Sequence, residues 1–136
     1  LMSTLKVNTI QNTSGGSSST PEQIEQGRAK VWASVNGTGT PSFNDSFNCT
    51  SVVDENTGDY TINFSITMAN ANYSIVGMSE NWEGTNTDSF TTISERKGHR
   101  AVGSFRFRCM RMRFDTGNIP QFQDSERMGI AVFGDV

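Results

Sequence analysis

Histidine, cysteine and long apolar runs are scarce in this 136-residue chain, and each scarcity excludes a class of protein. One histidine and two widely separated cysteines form no ligand pattern, so we expect neither a metal site nor a cofactor. Cys49 and Cys109 are both in phase with neighbouring phenylalanines, which favours inward-facing free thiols over a disulfide. No apolar run reaches transmembrane length and no signal peptide is evident, so we expect a soluble protein, made in the cytosol, without membrane insertion.

Charge is the other scarce property. Only 18% of the residues are charged and the formal net charge is −3, which argues against a general nucleic-acid-binding protein. Serine, threonine, asparagine and glycine are abundant instead. This composition is typical of two-layer antiparallel proteins whose strands have polar outer faces.

The clearest pattern lies in residues 42–77. Apolar side chains alternate with polar ones in the middle of this stretch, at Tyr60, Ile62, Phe64, Ile66 and Met68. The run before it alternates in the same way, at Phe43, Phe47, Cys49, Ser51 and Val53. Residues 54–59 lie between the two runs, and Gly58 is free to adopt a positive φ. The pattern predicts an antiparallel hairpin with one buried face.

Further strands follow from the same alternation. Val31, Ala33 and Val35 share one face of a strand and Trp32 lies on the other. Residues 73–79 and 90–94 read as strands, and residues 95–100 read as a turn with Gly98 at its tip. Residues 126–134 form the last strand, with Met128, Ile130 and Val132 inside. With about eight strands, we predict an all-β fold, an antiparallel β-sandwich of jelly-roll-like form, with an extended N-terminal arm and one short helix.

The strand predicted over residues 101–114 contains a flaw in its alternation. Its apolar residues change parity halfway, from Phe105, Phe107 and Cys109 to Met110, Met112 and Phe114. One face cannot hold both sets without an extra residue, so we predict a β-bulge near residues 109–110.

The N-terminal 20 residues have a different character. Leu5, Val7 and Ile10 belong to a short extended segment, and the Gly/Ser tract of residues 11–20 predicts a flexible linker. A docking arm and a frayed terminus both fit this pattern. Thr20 and Gln23 form a capping-box pattern for a helix that ends near Gly27. We therefore divide the chain into an arm, residues 1–20, and a head domain, residues 21–136.

A helix of two turns is not stable alone and needs a packing partner. Trp32, on the polar face of its strand, is a residue type enriched in subunit interfaces. We therefore predict that Ile24 and Trp32 contact copies of the same chain. The alternative is that the helix packs on its own domain and that Trp32 covers an edge of the sandwich.

Candidate chemistry is limited. His99 lies between basic residues without an orienting carboxylate nearby in sequence, so we predict no enzymatic activity. The aperiodic residues 80–89 present a tryptophan among short polar and acidic groups, which suits stacking on a sugar ring. A tryptophan that only covers the end of the sandwich is an equal alternative. The candidate glycan contacts are Asn81, Trp82, Glu83, Asn86 and Asp88.

Seven basic residues and no acidic ones fall between Arg96 and Arg113. A basic row interleaved with phenylalanine can bind a polyanion. More often such a row pairs with acids on the neighbouring strand, for which Asp45 or a second subunit are the candidates.

Several short motifs occur in a fixed order along nearly the whole chain. They are MSTLKVNTIQ (2–11), NTSGGSSSTPEQI (12–24), GRAKVW (27–32), VNGTGT (35–40), SFN (46–48), GDYTINF (58–64), MANANY (68–73) and IAVFGD (130–135). Together they resemble small virion proteins and tail-fibre-like proteins of marine cyanophages. Residues 80–89 and 106–113 depart from that pattern.

The resemblance implies a non-enzymatic structural protein of a tailed phage, assembled into the virion in the host cytoplasm, and a homotrimer. Its N-terminal segment, with Leu5, Val7 and Ile10, would anchor to other virion proteins. The β-sandwich would face outward, toward host-surface polysaccharide. A tail fibre or similar appendage is the first expectation and a capsid-decorating or collar protein the second. A glycan-cleaving enzyme is the third, based on Glu80, Glu83 and Asp88.

Overall fold

The computed structural model describes residues 3–80, 89–113 and 120–136, and its fold is an all-β sandwich. The described elements are β1 (Ile10–Gln11), β2 (Ser18–Ser19), α1 (Pro21–Gly27), β3 (Val31–Asn36), β4 (Ser42–Phe47), β5 (Cys49–Asn56), β6 (Asp59–Phe64), β7 (Ser74–Ser79), β8 (Ser89–Ala101), β9 (Ser104–Arg113), β10 (Pro120–Phe122) and β11 (Met128–Phe133). The predicted fold class is therefore confirmed.

Two antiparallel sheets make up the sandwich. One has the order β4-β3-β11-β7. In the other sheet, β8 pairs with one edge of β9. The opposite edge of β9 pairs with β6 along its first half and with β10 along its second half, and β5 pairs with the far edge of β6. Because β7 and β8 are edge strands in contact with each other, they meet at one open side of the sandwich.

The core lies between the sheets and draws side chains from both. Its buried strand residues are Val31, Ala33, Val35, Tyr60, Ile62, Phe64, Phe105, Phe107, Cys109, Met128, Ile130 and Val132. The alternation predicted for β3, β6 and β11 is thus confirmed. Cys109 is buried and Cys49 is half-buried against the core, and both are free thiols, as predicted.

The hairpin between β5 and β6 has the predicted turn, with Gly58 at φ 61°. The run predicted as one alternating strand over residues 43–53 is instead two strands in different sheets. Asn48, at φ 57°, breaks the run between them. Each strand also has a bulge of its own, at Asn44 in β4 and at Thr50 in β5, and each bulge changes the phase. Phe47 and Val53 therefore face solvent, contrary to prediction, and Val52 packs against the core.

The bulge predicted near residues 109–110 is wrong. Strand β9 keeps its alternation throughout, so Arg111 rather than Met110 or Met112 is the next buried residue after Cys109. The physical reason is that β9 pairs on both edges, and β8 pairs with it in unbroken register from Arg113 to Phe107. An extra residue in β9 would interrupt both ladders.

The irregularity lies in β8 instead. Glu95 pairs with Phe107 and Arg100 pairs with Phe105, so the four residues 96–99 form a large bulge opposite a single residue of β9. The turn predicted at residues 95–100 is therefore wrong, although Gly98 does have a positive φ of 81°. The chain reverses after Ala101 instead, between β8 and β9.

The N-terminal region contains more structure than a flexible linker. Strands β1 and β2 pair as a small hairpin within it. Asn12 organises this hairpin, since its side-chain oxygen accepts bonds from Gly16 N and Ser17 N. The predicted capping box of α1 is present, with Thr20 Oγ1 accepting from Gln23 N and Gln23 Oε1 accepting from Thr20 N.

Candidate interaction surface

The outer faces of the two sheets differ in chemistry, and the face formed by β6 and β9 is charged. Asp59 lies there beneath three arginines and is only 4% exposed. Its carboxylate accepts two bonds from Arg106, at 2.6 and 2.9 Å, and one each from Arg108 and Arg96, at 3.1 and 2.8 Å. Glu55 adds a second carboxylate 3.2 Å from Arg106.

The basic row of β9, which we call the arginine row, was predicted either to bind a polyanion or to pair with acids of neighbouring strands. Arg106 and Arg108 pair with acids of neighbouring strands, and those acids are Asp59 and Glu55 rather than Asp45. Burial raises the pKa of Asp59, but the hydrogen bonds and charges of Arg106 and Arg108 outweigh burial and leave the pKa below its ordinary value. The carboxylate is therefore firmly ionised, and it neutralises part of the row.

The outer face of the other sheet carries a row of apolar residues. The strand register places Phe47, Trp32, Ala131 and Val76 in one row across β4, β3, β11 and β7. The next row consists of Asp45, Ser34, Gly129 and Met78. Trp32 is 37% exposed, Phe47 43%, Val76 53% and Met78 78%. We call these eight residues the sheet surface.

Small residues give the sheet surface its shape. Gly129 and Ala131 of the middle strand β11 form the floor of a shallow groove, and Ser34 lies beside them. Trp32 forms one wall, while Val76 and Met78 form the other. A Cβ atom added at Gly129 would meet no atom within 4 Å, so the space above the floor is open. Strands β3 and β7 lie roughly 10 Å apart across β11, which leaves room for one row of inserted side chains.

A second exposed apolar surface lies on the arm and helix. The predicted anchor residues Leu5, Val7 and Ile10 lie with Ile24 of α1 around one open groove. Leu5 is 83% exposed and none of the residues in α1 is buried. The structure thus joins two predicted sets, the anchor and part of the interface, in what we call the arm surface.

Polar contacts hold α1 to the sandwich. Lys30, buried just before β3, directs its Nζ atom to the carboxylate and the carbonyl oxygen of Glu25. Gln26 Nε2 donates to Asp135 near the C-terminus. The helix is therefore attached by its polar groups while Ile24 remains 45% exposed.

The predicted glycan contacts Asn81, Trp82, Glu83, Asn86 and Asp88 lie outside the described residues. His99 is exposed within the β8 bulge, and Glu80 is exposed at the end of β7. Within residues 3–80, 89–113 and 120–136, no three metal-ligating side chains of His, Cys, Asp or Glu come together. In the same part of the chain, no helix is both long and apolar enough to cross a membrane.

Sequence reasoning identified Trp32 but not Phe47, Val76 or Met78 as part of the sheet surface. A signal was available for the last two, because residues 74–79 (SIVGMS) are apolar at both odd and even positions. A strand with two apolar faces is typical of a strand covered on both sides. Comparison with protein-family models, with curated proteins and with solved structures finds no match to this chain.

Proposed function

We propose that this protein is a non-enzymatic structural subunit of a phage particle that associates with copies of itself as a homotrimer. The observation that carries the proposal is the sheet surface, in which Phe47, Trp32, Ala131 and Val76 form an apolar row across all four strands. The ordered motifs that resemble cyanophage virion proteins supply the biological setting.

Solvent-exposed apolar side chains are common, but a contiguous group that spans four strands marks a contact surface. The sheet surface combines Trp32, Phe47 and Met78, residue types enriched where protein surfaces meet. The opposite sheet offers a contrast, because its arginines are already matched to Asp59 and Glu55. Self-association through the sheet surface removes the apolar face from water and leaves the charged face outside.

The arm surface serves attachment to a different virion protein in this proposal. Leu5, Val7, Ile10 and Ile24 are outside the sandwich core, so they contribute little to its folding. An exposed, alternating apolar segment gains its stability from a partner. With the arm held by the particle, the sandwich faces outward, and residues 81–88 are the proposed contact with host-surface polysaccharide. In this proposal the protein is a tail fibre or a similar appendage.

A capsid-decorating or collar protein is the second candidate, because the ordered motifs resemble small virion proteins as well as tail-fibre-like proteins. A glycan-cleaving enzyme is the third. Labelling the protein on intact particles separates the first two, since signal at the tail tip and signal over the head exclude each other. New reducing ends from host polysaccharide incubated with the protein would establish the third.

Self-association is tested by the mass of the full chain in solution. Light scattering at micromolar concentration is expected to give the trimer mass for wild type. Trp32→Ala combined with Met78→Ser is expected to shift the equilibrium toward monomer, because buried aromatic anchors dominate binding energy.

Val53→Ser is the matched control, because Val53 is an exposed apolar residue of β5 in the opposite sheet. It should leave the mass unchanged. A monomeric wild type, or a double variant that retains the wild-type mass, would refute the proposed interface.

A further inference from the structure

A separate feature, independent of the proposed function, lies at the open side of the sandwich. A cavity of about 120 Å³ lies between the edge strands β7 and β8. Isoleucines and phenylalanines from both sheets form most of its wall. The lining residues are Ile75, Gly77, Ile93, Glu95, Arg100, Phe105, Phe107 and Ile130.

Gly77 lines the cavity without a side chain of its own. Gly77 pairs with Ile130, whose side chain is buried, so residue 77 occupies an inward-facing position. Its φ is not among the positive ones of this chain, and the backbone therefore does not require glycine. A Cβ atom at this position would meet Ile130 Cγ1 and Ile93 Cδ1 at 3.6 Å and Gly129 O at 3.1 Å. An alanine nearly fits, and it would occupy part of the space that glycine leaves open.

Glu95 and Arg100 form the rim. They pair with Phe107 and Phe105, which face the core, so both charged side chains occupy inward-facing positions of β8. The two side chains form an ion pair across the β8 bulge, and Arg100 also donates to Tyr73 O at 2.5 Å. Because the charges of the rim neutralise each other, the rim offers no net charge to a ligand. The wall below it offers the carbon atoms of isoleucine and phenylalanine side chains.

We propose that this cavity is a binding site for a small, uncharged, apolar molecule of single-ring size. Below the rim, the isoleucine and phenylalanine side chains offer water none of the two to four polar partners that it needs. In another protein, a cavity of about 150 Å³ lined by similar side chains stays dry and binds benzene or xenon. The cavity beside Gly77 has nearly that volume, and the ion pair of Glu95 and Arg100 lies at its rim.

Benzene is the probe that tests this site, and the full chain is the protein used. Benzene should raise the melting temperature of wild type increasingly with its concentration, because a ligand that binds only the folded state stabilises that state by RT ln(1 + [L]/Kd). It should also shift the methyl resonances of Ile93 and Ile130 in NMR spectra. Gly77→Ala should weaken both responses and Gly77→Val should abolish them, because added methyl groups occupy the cavity.

Gly103→Ala is the matched control, because a Cβ atom there meets nothing within 4 Å and Gly103 does not line the cavity. It should keep the full benzene response. If Gly77→Val fails to fold, Gly77→Ala and the methyl shifts of wild type still decide the question. A wild type without benzene-dependent methyl shifts, or a Gly77→Ala variant with an undiminished response, would overturn the assignment.

Discussion

Asp59→Asn removes one negative charge from beneath three arginines while preserving the shape of the side chain. In wild type, Arg96, Arg106 and Arg108 face the carboxylates of Asp59 and Glu55. After the substitution, all three arginines lose the carboxylate of Asp59, and Arg106 keeps its ion pair with Glu55. The amide also presents two donors where the arginines need acceptors. The variant therefore loses attraction and gains repulsion at a site that water barely reaches.

The magnitude follows from the burial of Asp59. Its exposure is 4%, whereas the arginine side chains are 16–33% exposed, so the pairs are only partly screened by solvent. Removing one partner of a buried pair costs about 3–5 kcal/mol, and because the arginines are partly exposed, the expected loss is about 3 kcal/mol. With a urea m-value of about 2 kcal/mol/M, the unfolding midpoint should fall by about 1.5 M.

The pH dependence has a definite sign. The folded pKa of Asp59 lies below its ordinary value of 3.8. Its stabilising contribution is therefore fully present above that value and is lost as the pH falls through the folded pKa. The difference in unfolding free energy between wild type and Asp59→Asn should be constant near neutral pH and should shrink below pH 3.8.

Urea unfolding followed by tryptophan fluorescence, repeated across this pH range, measures both effects. Asp54→Asn, an exposed carboxylate in the neighbouring strand β5, is the control and should shift the midpoint little. A midpoint for Asp59→Asn within experimental error of wild type would show that the arginines do not depend on this carboxylate. The assignment of the arginine row as an internal charge network would then be incorrect.

Three other predictions concern the core, the β5–β6 turn and the arm. In a thermal or urea melt, Phe64→Ala should lower the free energy of unfolding by about 3–5 kcal/mol. Asn63→Ala, which loses one 2.9 Å hydrogen bond to a serine hydroxyl, should lower it by about 1 kcal/mol. If Asn63→Ala proved the more damaging variant, the two faces of the strand would be inverted. Gly58→Ala should unfold more readily than Gly39→Ala, because both need positive φ but only the Cβ at residue 58 lies 2.5 Å from a β9 carbonyl oxygen; equal melting temperatures would contradict this. Deletion of residues 3–20 should leave the melting temperature of the sandwich nearly unchanged and abolish attachment to the particle, whereas a large fall in melting temperature would make the arm part of the fold.

Local rules in the sequence were enough for several elements. The alternation of β6 and β11 required only that one face of each strand be buried, and period two makes that face readable from the residue numbers. The helix at Pro21 was predicted to its ends, since its capping box and terminal glycine act within one turn of the backbone. The turn at Gly58 followed from the need for positive φ, which is likewise a property of a few consecutive residues.

Other features depended on which strands became neighbours, and no local pattern contains that information. Arg111 is buried and β9 has no bulge because pairing on both edges fixes its register, although its own apolar residues change parity. The charges of Arg106 and Arg108 are matched because the β5–β6 hairpin brings Asp59 beside them, nearly fifty positions away in sequence. The sheet surface likewise assembles residues from β3, β4, β7 and β11. Alternation therefore determined which side chains of most strands face inward. The pairing of distant strands decided which neighbours the outward-facing side chains contact, because the register between strands is a property of the folded chain alone.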